Sequence, residues 1–106
     1  MYHRKYHIEN ILNRINEKHG VDINYENRQR IFNIFDLIDK VKPEVNSDHK
    51  RMISVAYVLR RLFEILGLPY DNIKTTSSKK TLNYYNQWWN EVYGLIKHHI
   101  HKVINK

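Results

Sequence analysis

The sequence predicts an all-α protein, a bundle of five helices around one buried central helix spanning about residues 47–66. Apolar residues recur at spacings of three and four through most of the chain, the period of a helix face. Gly20, Pro43, Gly67 and Pro69 fall where those patterns stop. No stretch alternates apolar and polar residues as a half-buried strand would.

Ile8, Ile11, Leu12 and Ile15 define one face of a first helix from about Tyr6 to Lys18, with Gly20 placed to end it in a left-handed backbone. A second helix begins near Asn24, a good N-cap, and carries Tyr25, Ile31, Phe32, Ile34, Phe35, Ile38 and Val41 before Pro43 forbids continuation. Its polar side, Arg28, Arg30, Asp36, Asp39 and Lys40, is close to neutral, so it reads as wall. The third helix is expected to start at Ser47 or Asp48. From Met52 to Leu66 only Ser54, Arg60, Arg61 and Glu64 are polar, and a helix apolar nearly all round is buried by neighbours on several sides. Gly67-Leu68-Pro69 breaks it, and Tyr70-Asp71-Asn72-Ile73 has length for a turn or two of a fourth helix. Thr75-Thr76-Ser77-Ser78 reads as a loop with Ser78 as N-cap. The last helix runs from Lys79 to at least Ile96, with Leu82, Tyr85, Trp89, Val92 and Ile96 on its inner face. Gly94 weakens its continuity. Residues 97–106 form a basic His/Lys-rich tail, expected to fray or extend this helix.

At 106 residues the chain reads as a single domain, 1–106, and its 42% hydrophobic content supports a core. It has no cysteine, hence no disulfide, thiol nucleophile or zinc-thiolate site. No apolar run approaches the roughly 18 to 20 residues of a membrane span, and Met1 to Lys5 lack a hydrophobic signal core. A soluble, intracellular protein without a membrane partner is expected. The formal charge of +7 favours polyanionic partners. Asn, Ile, Lys and Tyr, all read from A/T-rich codons, are abundant, so base composition alone supplies part of that charge.

Ser78, Lys79 and Lys80 are candidate phosphate ligands, because free N–H groups, the helix dipole and two ammonium groups converge there. The plainer reading is a capped helix with solvated lysines. A short helix at Tyr70 to Lys74 followed by this one would form a helix-turn-helix-like pair, with Thr76 and Ser77 as backbone or base-edge neighbours. Arg60, Arg61 and Arg51 are further nucleic-acid candidates, against a reading in which their stems snorkel from a buried helix. His98, His99 and His101 point around a helix and lack a carboxylate or cysteine beside them, so no metal and no cofactor is expected. Trp89 falls on the inner face, whereas Trp88, with Tyr84, is a candidate surface anchor for a partner. Paired carboxylates, a nucleophile with its base, a phosphate-cradling glycine loop and a metal-ligand helix are all missing. A non-enzymatic role without a small-molecule substrate follows.

Arg51-Met52-Ile53-Ser54-Val55-Ala56-Tyr57-Val58-Leu59, continued by Leu62-Phe63-Glu64-Ile65-Leu66-Gly67-Leu68 and by Ser78, Leu82 and Trp89, resembles the C-terminal segment of the poxvirus late transcription factor 3-like family of large DNA viruses. The likeness covers about residues 25 to 96. Ala56-Tyr57-Val58, the Gly-x-Pro break, Ile73, Ser78 to Leu82 and Tyr85 are also similar to a cyclin-type repeat of transcription factor IIB, although the connection from Pro69 to Ser78 is shorter here. The resemblance implies a cyclin-box-like fold and a late transcription factor that binds promoter DNA through its phosphate backbone, or RNA polymerase and other transcription factors. It also implies a location in the host cytoplasm, at the viral factory, or in the virion. Longer members carry cysteines suited to zinc in an N-terminal region, and zinc binding is not carried over to this cysteine-free chain. The alternative is a helical protein-interaction module that touches no nucleic acid.

Overall fold

The structure, a computed structural model, describes residues 3–41 and 54–104. Among these residues it holds four helices and no strand: α1 (His3–His19), α2 (Tyr25–Val41), α3 (Val55–Leu66) and α4 (Lys79–Ile104). The expected five-helix, cyclin-box-like arrangement is therefore corrected. Between Tyr70 and Lys74 the chain makes one turn, in which the Ile73 N–H donates to the Tyr70 carbonyl at 3.0 Å. The physical reason is the cost of a helix nucleus. So short a segment behind Pro69 fixes several dihedrals and gains few hydrogen bonds in return, whereas one turn suffices to bury Ile73.

Local chemistry accounts for the ends of the helices. Gly20, at φ 66°, closes α1, its N–H donating to the Asn16 carbonyl at 3.0 Å. Asn24 caps α2 by accepting the Asn27 N–H on Oδ1 at 2.8 Å. Ser54 occupies the N-cap of α3 with an extended backbone (φ −61°, ψ 132°). Among the described residues the third helix begins at Val55, because Ser54 is extended. Ser47, Asp48 and Arg51 lie outside the described residues.

The other end of α3 is a Schellman motif. Gly67 takes φ 74° and ψ 24° and donates to the Glu64 carbonyl at 3.3 Å, while the Leu68 N–H reaches the Phe63 carbonyl at 2.9 Å. A Cβ on Gly67 meets nothing within 4 Å, so only the left-handed backbone disfavours another residue. Gly67→Ala is expected to cost about 1 kcal/mol, read in urea as a lower midpoint at an unchanged m-value.

By its internal contacts the chain forms two compact units, each assembled from two segments: Met1–Gln29 with Ile53–Thr75, and Arg30–Met52 with Thr76–Lys106. In the first, α1 packs against α3. Ile8, Leu12 and Ile15 of α1 and Tyr57, Val58, Leu59, Leu62 and Phe63 of α3 are buried, the α3 set covering most of that helix's circumference. Arg28 ties the connection down, Nε donating to the Ile23 carbonyl at 3.1 Å and Nη2 to Asn13 Oδ1 at 3.3 Å. In the second unit the core residues are Ile31, Ile34, Phe35 and Ile38 of α2 and Trp88, Trp89, Val92, Ile96 and Ile100 of α4. Ile100 is 0% exposed and continues the apolar stripe four residues beyond Ile96. Hence α4 does not fray at Lys97 but persists to Ile104.

Candidate nucleic-acid interface

The start of α4 is built by two hydroxyl-bearing residues, Thr76 and Ser78, and finished by two lysines. Thr76 Oγ1 accepts the Ser78 N–H at 3.1 Å, which folds the loop back on itself. Ser78 then accepts the Thr81 N–H on Oγ at 3.3 Å and the Leu82 N–H on its carbonyl at 2.9 Å. It is the N-cap that the sequence indicates. The opening amides of a helix have no intrahelical acceptor, and the Ser78 hydroxyl engages one of them. Ser77, Ser78, Lys79 and Lys80 are exposed and Thr76 is half-buried. No acidic side chain occupies the first turn of α4. The positive end of the helix dipole therefore adds to two ammonium groups with no carboxylate in the same turn. Chemically, this end is suited to an anion.

The helix-turn-helix reading of this region is corrected, because its first helix is the single turn at Tyr70–Ile73. Arg60 is committed to that turn. Its Nη1 donates to the Ile73 carbonyl at 3.0 Å, and its guanidinium lies 5.0 Å from the centre of the Tyr70 ring. Arg61 donates from Nε to the Tyr57 hydroxyl at 3.0 Å, lies 5.4 Å from that ring's centre and pairs with Glu64 at 3.5 Å. Burial pushes the Tyr57 phenol above its usual pKa, and the Arg61 hydrogen bond opposes that rise. Both arginines are half-buried and belong to the first unit, whereas residues 76–80 belong to the second.

A family model then matches nearly the whole chain: Poxvirus Late Transcription Factor VLTF3 like, over residues 1–100. The chain belongs to this family. No curated protein and no solved structure matches it. The match extends past both ends of the stretch from 25 to 96 whose motifs carry the resemblance, and so includes α1.

In this VLTF3-like chain the aromatic residues are placed differently from the sequence reading. Trp88 is 6% exposed, little different from Trp89 at 5%, so its ring is not an open anchor. Adjacent positions can share a wide apolar stripe. The two indoles sit 6.5 Å apart, and Trp89 stacks on Tyr93 at 5.7 Å. Tyr84 is half-buried, its ring 6.2 Å from that of Tyr85. Among the described residues, the aromatics presented to solvent are Tyr6 and Tyr25, 74% and 76% exposed. Sequence reasoning missed both; Tyr25 follows the Asn24 cap directly, a first-turn position that the periodic core of α2 leaves out.

His98, His99 and His101 are exposed. Among the described residues no group of three or more His, Cys, Asp or Glu side chains is placed to hold a metal ion. The chain has no cysteine and so offers a zinc ion no thiolate ligand. No helix among the described residues is long and apolar enough to cross a membrane.

Proposed function

We propose that this chain is a late-transcription-factor-like module that binds promoter DNA, alone or together with the viral RNA polymerase or other transcription factors, without catalysing a reaction. The observation that carries the reading is the start of α4, where a capped helix end, two exposed lysines and the absence of a first-turn acid coincide in a protein of charge +7. Ser78, Lys79 and Lys80 hold a phosphate, and Thr76 and Ser77 lie beside it. Arg60 and Arg61 contribute less, since each guanidinium already serves a contact within α3 or the turn after it. Arg51 remains a candidate on charge alone. Such a module acts where late genes are transcribed, in the viral factory of the host cytoplasm, or travels in the virion.

A second reading, a protein-interaction module that touches no nucleic acid, draws support from exposed Tyr6 and Tyr25 and none from buried Trp88. Anisotropy of a labelled duplex DNA separates the two. A complex that forms at low salt and weakens as salt is added supports nucleic-acid binding. No complex at any salt concentration overturns it and leaves the protein partner.

A further inference from the structure

The exposed side of α4 continues well beyond its first turn. At about 100° per residue, Lys79, Asn83, Gln87, Asn90, Gly94 and Lys97 fall within an arc of about 80°, and all six are exposed. The order of side chains along the stripe is not uniform. Within the arc a cation stands at each end, Lys79 at the start and Lys97 near the finish, with neutral amides between them. Lys79 and Lys97 are about five turns apart, so they share one azimuth at a separation of about 27 Å. Glu91, the one acidic residue of α4, falls about 40° outside the arc and is engaged within the protein.

Gly94 is a second and independent sign. It sits inside the helix, its φ is not positive, and a Cβ built on it meets nothing within 4 Å. The fold does not need a glycine there, and glycine weakens a helix interior relative to alanine. Its position on the stripe fits a point where another backbone comes close, a use to which glycine is suited.

We infer that this stripe is a base-reading face that enters the major groove of duplex DNA, with Asn83, Gln87 and Asn90 on base edges, the terminal lysines on phosphates and Gly94 at the closest approach. The inference rests on the nucleic-acid reading above and specifies its contact face. An α-helix fits the B-form major groove, and Asn and Gln side chains pair there with adenine edges. The narrow major groove of A-form RNA does not admit a helix, so the occupant is DNA. The positive stripe complements that polyanion.

The test begins with duplexes selected by the full chain from a randomised pool, with affinity measured by anisotropy for a selected duplex, its scrambled sequence and the RNA duplex of the same sequence. N83A/Q87A/N90A is expected to keep its helix content and salt dependence, yet to lose at least about tenfold of the discrimination between selected and scrambled DNA. Gly94→Gln is expected to raise the melting temperature while weakening binding to the selected duplex about tenfold. Stability and binding thus move in opposite directions, which separates contact from misfolding. Undiminished discrimination by the triple variant, equal wild-type affinity for all DNA sequences, or RNA bound as tightly as DNA overturns the base-reading face while leaving nucleic-acid binding in place. Wild-type affinity in Gly94→Gln overturns the closest approach at that residue. A wild-type chain that binds no duplex overturns both this inference and the reading beneath it.

Discussion

Phe63→Ala is expected to cost about 3–5 kcal/mol of stability, the range for removing a large aromatic side chain from a packed core. Phe63 is 0% exposed and is the largest of the fully buried side chains among the described residues. It lies at the end of α3, where its carbonyl also accepts the Leu68 N–H of the Schellman motif. A small domain holds about 5–15 kcal/mol in total, so the variant unfolds at much lower urea or is already partly unfolded in buffer. Tyr25→Ala is the control: its ring is 76% exposed, and the change should stay within about 0.5 kcal/mol. Circular dichroism across a urea titration reads both. Equal midpoints for the two variants would mean that α3 is not the buried helix of its unit.

The second large effect is on binding. Lys79→Ala with Lys80→Ala is expected to weaken duplex DNA binding about tenfold at moderate salt, through the loss of two phosphate contacts. Folding should be untouched, because both side chains are exposed and alanine is the better helix former. Ser78→Ala acts on the other side of the same helix end. It removes the acceptor of the Thr81 N–H and should cost about 1 kcal/mol of stability, while leaving the lysines in place. Affinity loss in the lysine variant together with stability loss in the serine variant separates the anion-binding groups from the cap that positions them.

Most of the fold was legible where local chemistry decides it. Gly20, Asn24, Gly67 and Ser78 end or start helices through bonds among residues a few positions apart, and such residues announce themselves in sequence. The misreadings arose where a competing requirement won. Tyr70 to Lys74 has the composition of a short helix, but a single turn already buries Ile73 and offers its carbonyl to Arg60. Residues 97–106 leave fraying and extension both open in sequence, and the fit of Ile100 to the stripe of Trp89, Val92 and Ile96 favours extension. Trp88 is buried because that same stripe is wider than the spacing of Trp89, Val92 and Ile96 alone indicates. Family membership is visible in the apolar segment from Arg51 to Leu68, followed by Ser78, Leu82 and Trp89, and within it Tyr57, Val58, Leu59, Leu62 and Phe63 are held by packing. The interface was less so, since solvent imposes no period on exposed residues. Only Ser78 to Lys80 stood out, and the amide row behind them emerged once the exposed side of α4 was known.

The nucleic-acid assignment of α4 is tested most directly by the slope of log affinity against log salt for one duplex DNA, measured for the wild-type chain and for Lys79→Ala/Lys80→Ala. Each phosphate contact contributes about 0.9 to that slope. A steep wild-type slope that flattens by about 1.8 in the double variant is the predicted result. Identical slopes and affinities for the two proteins, or a wild-type chain that leaves the duplex unbound at low salt, would contradict it.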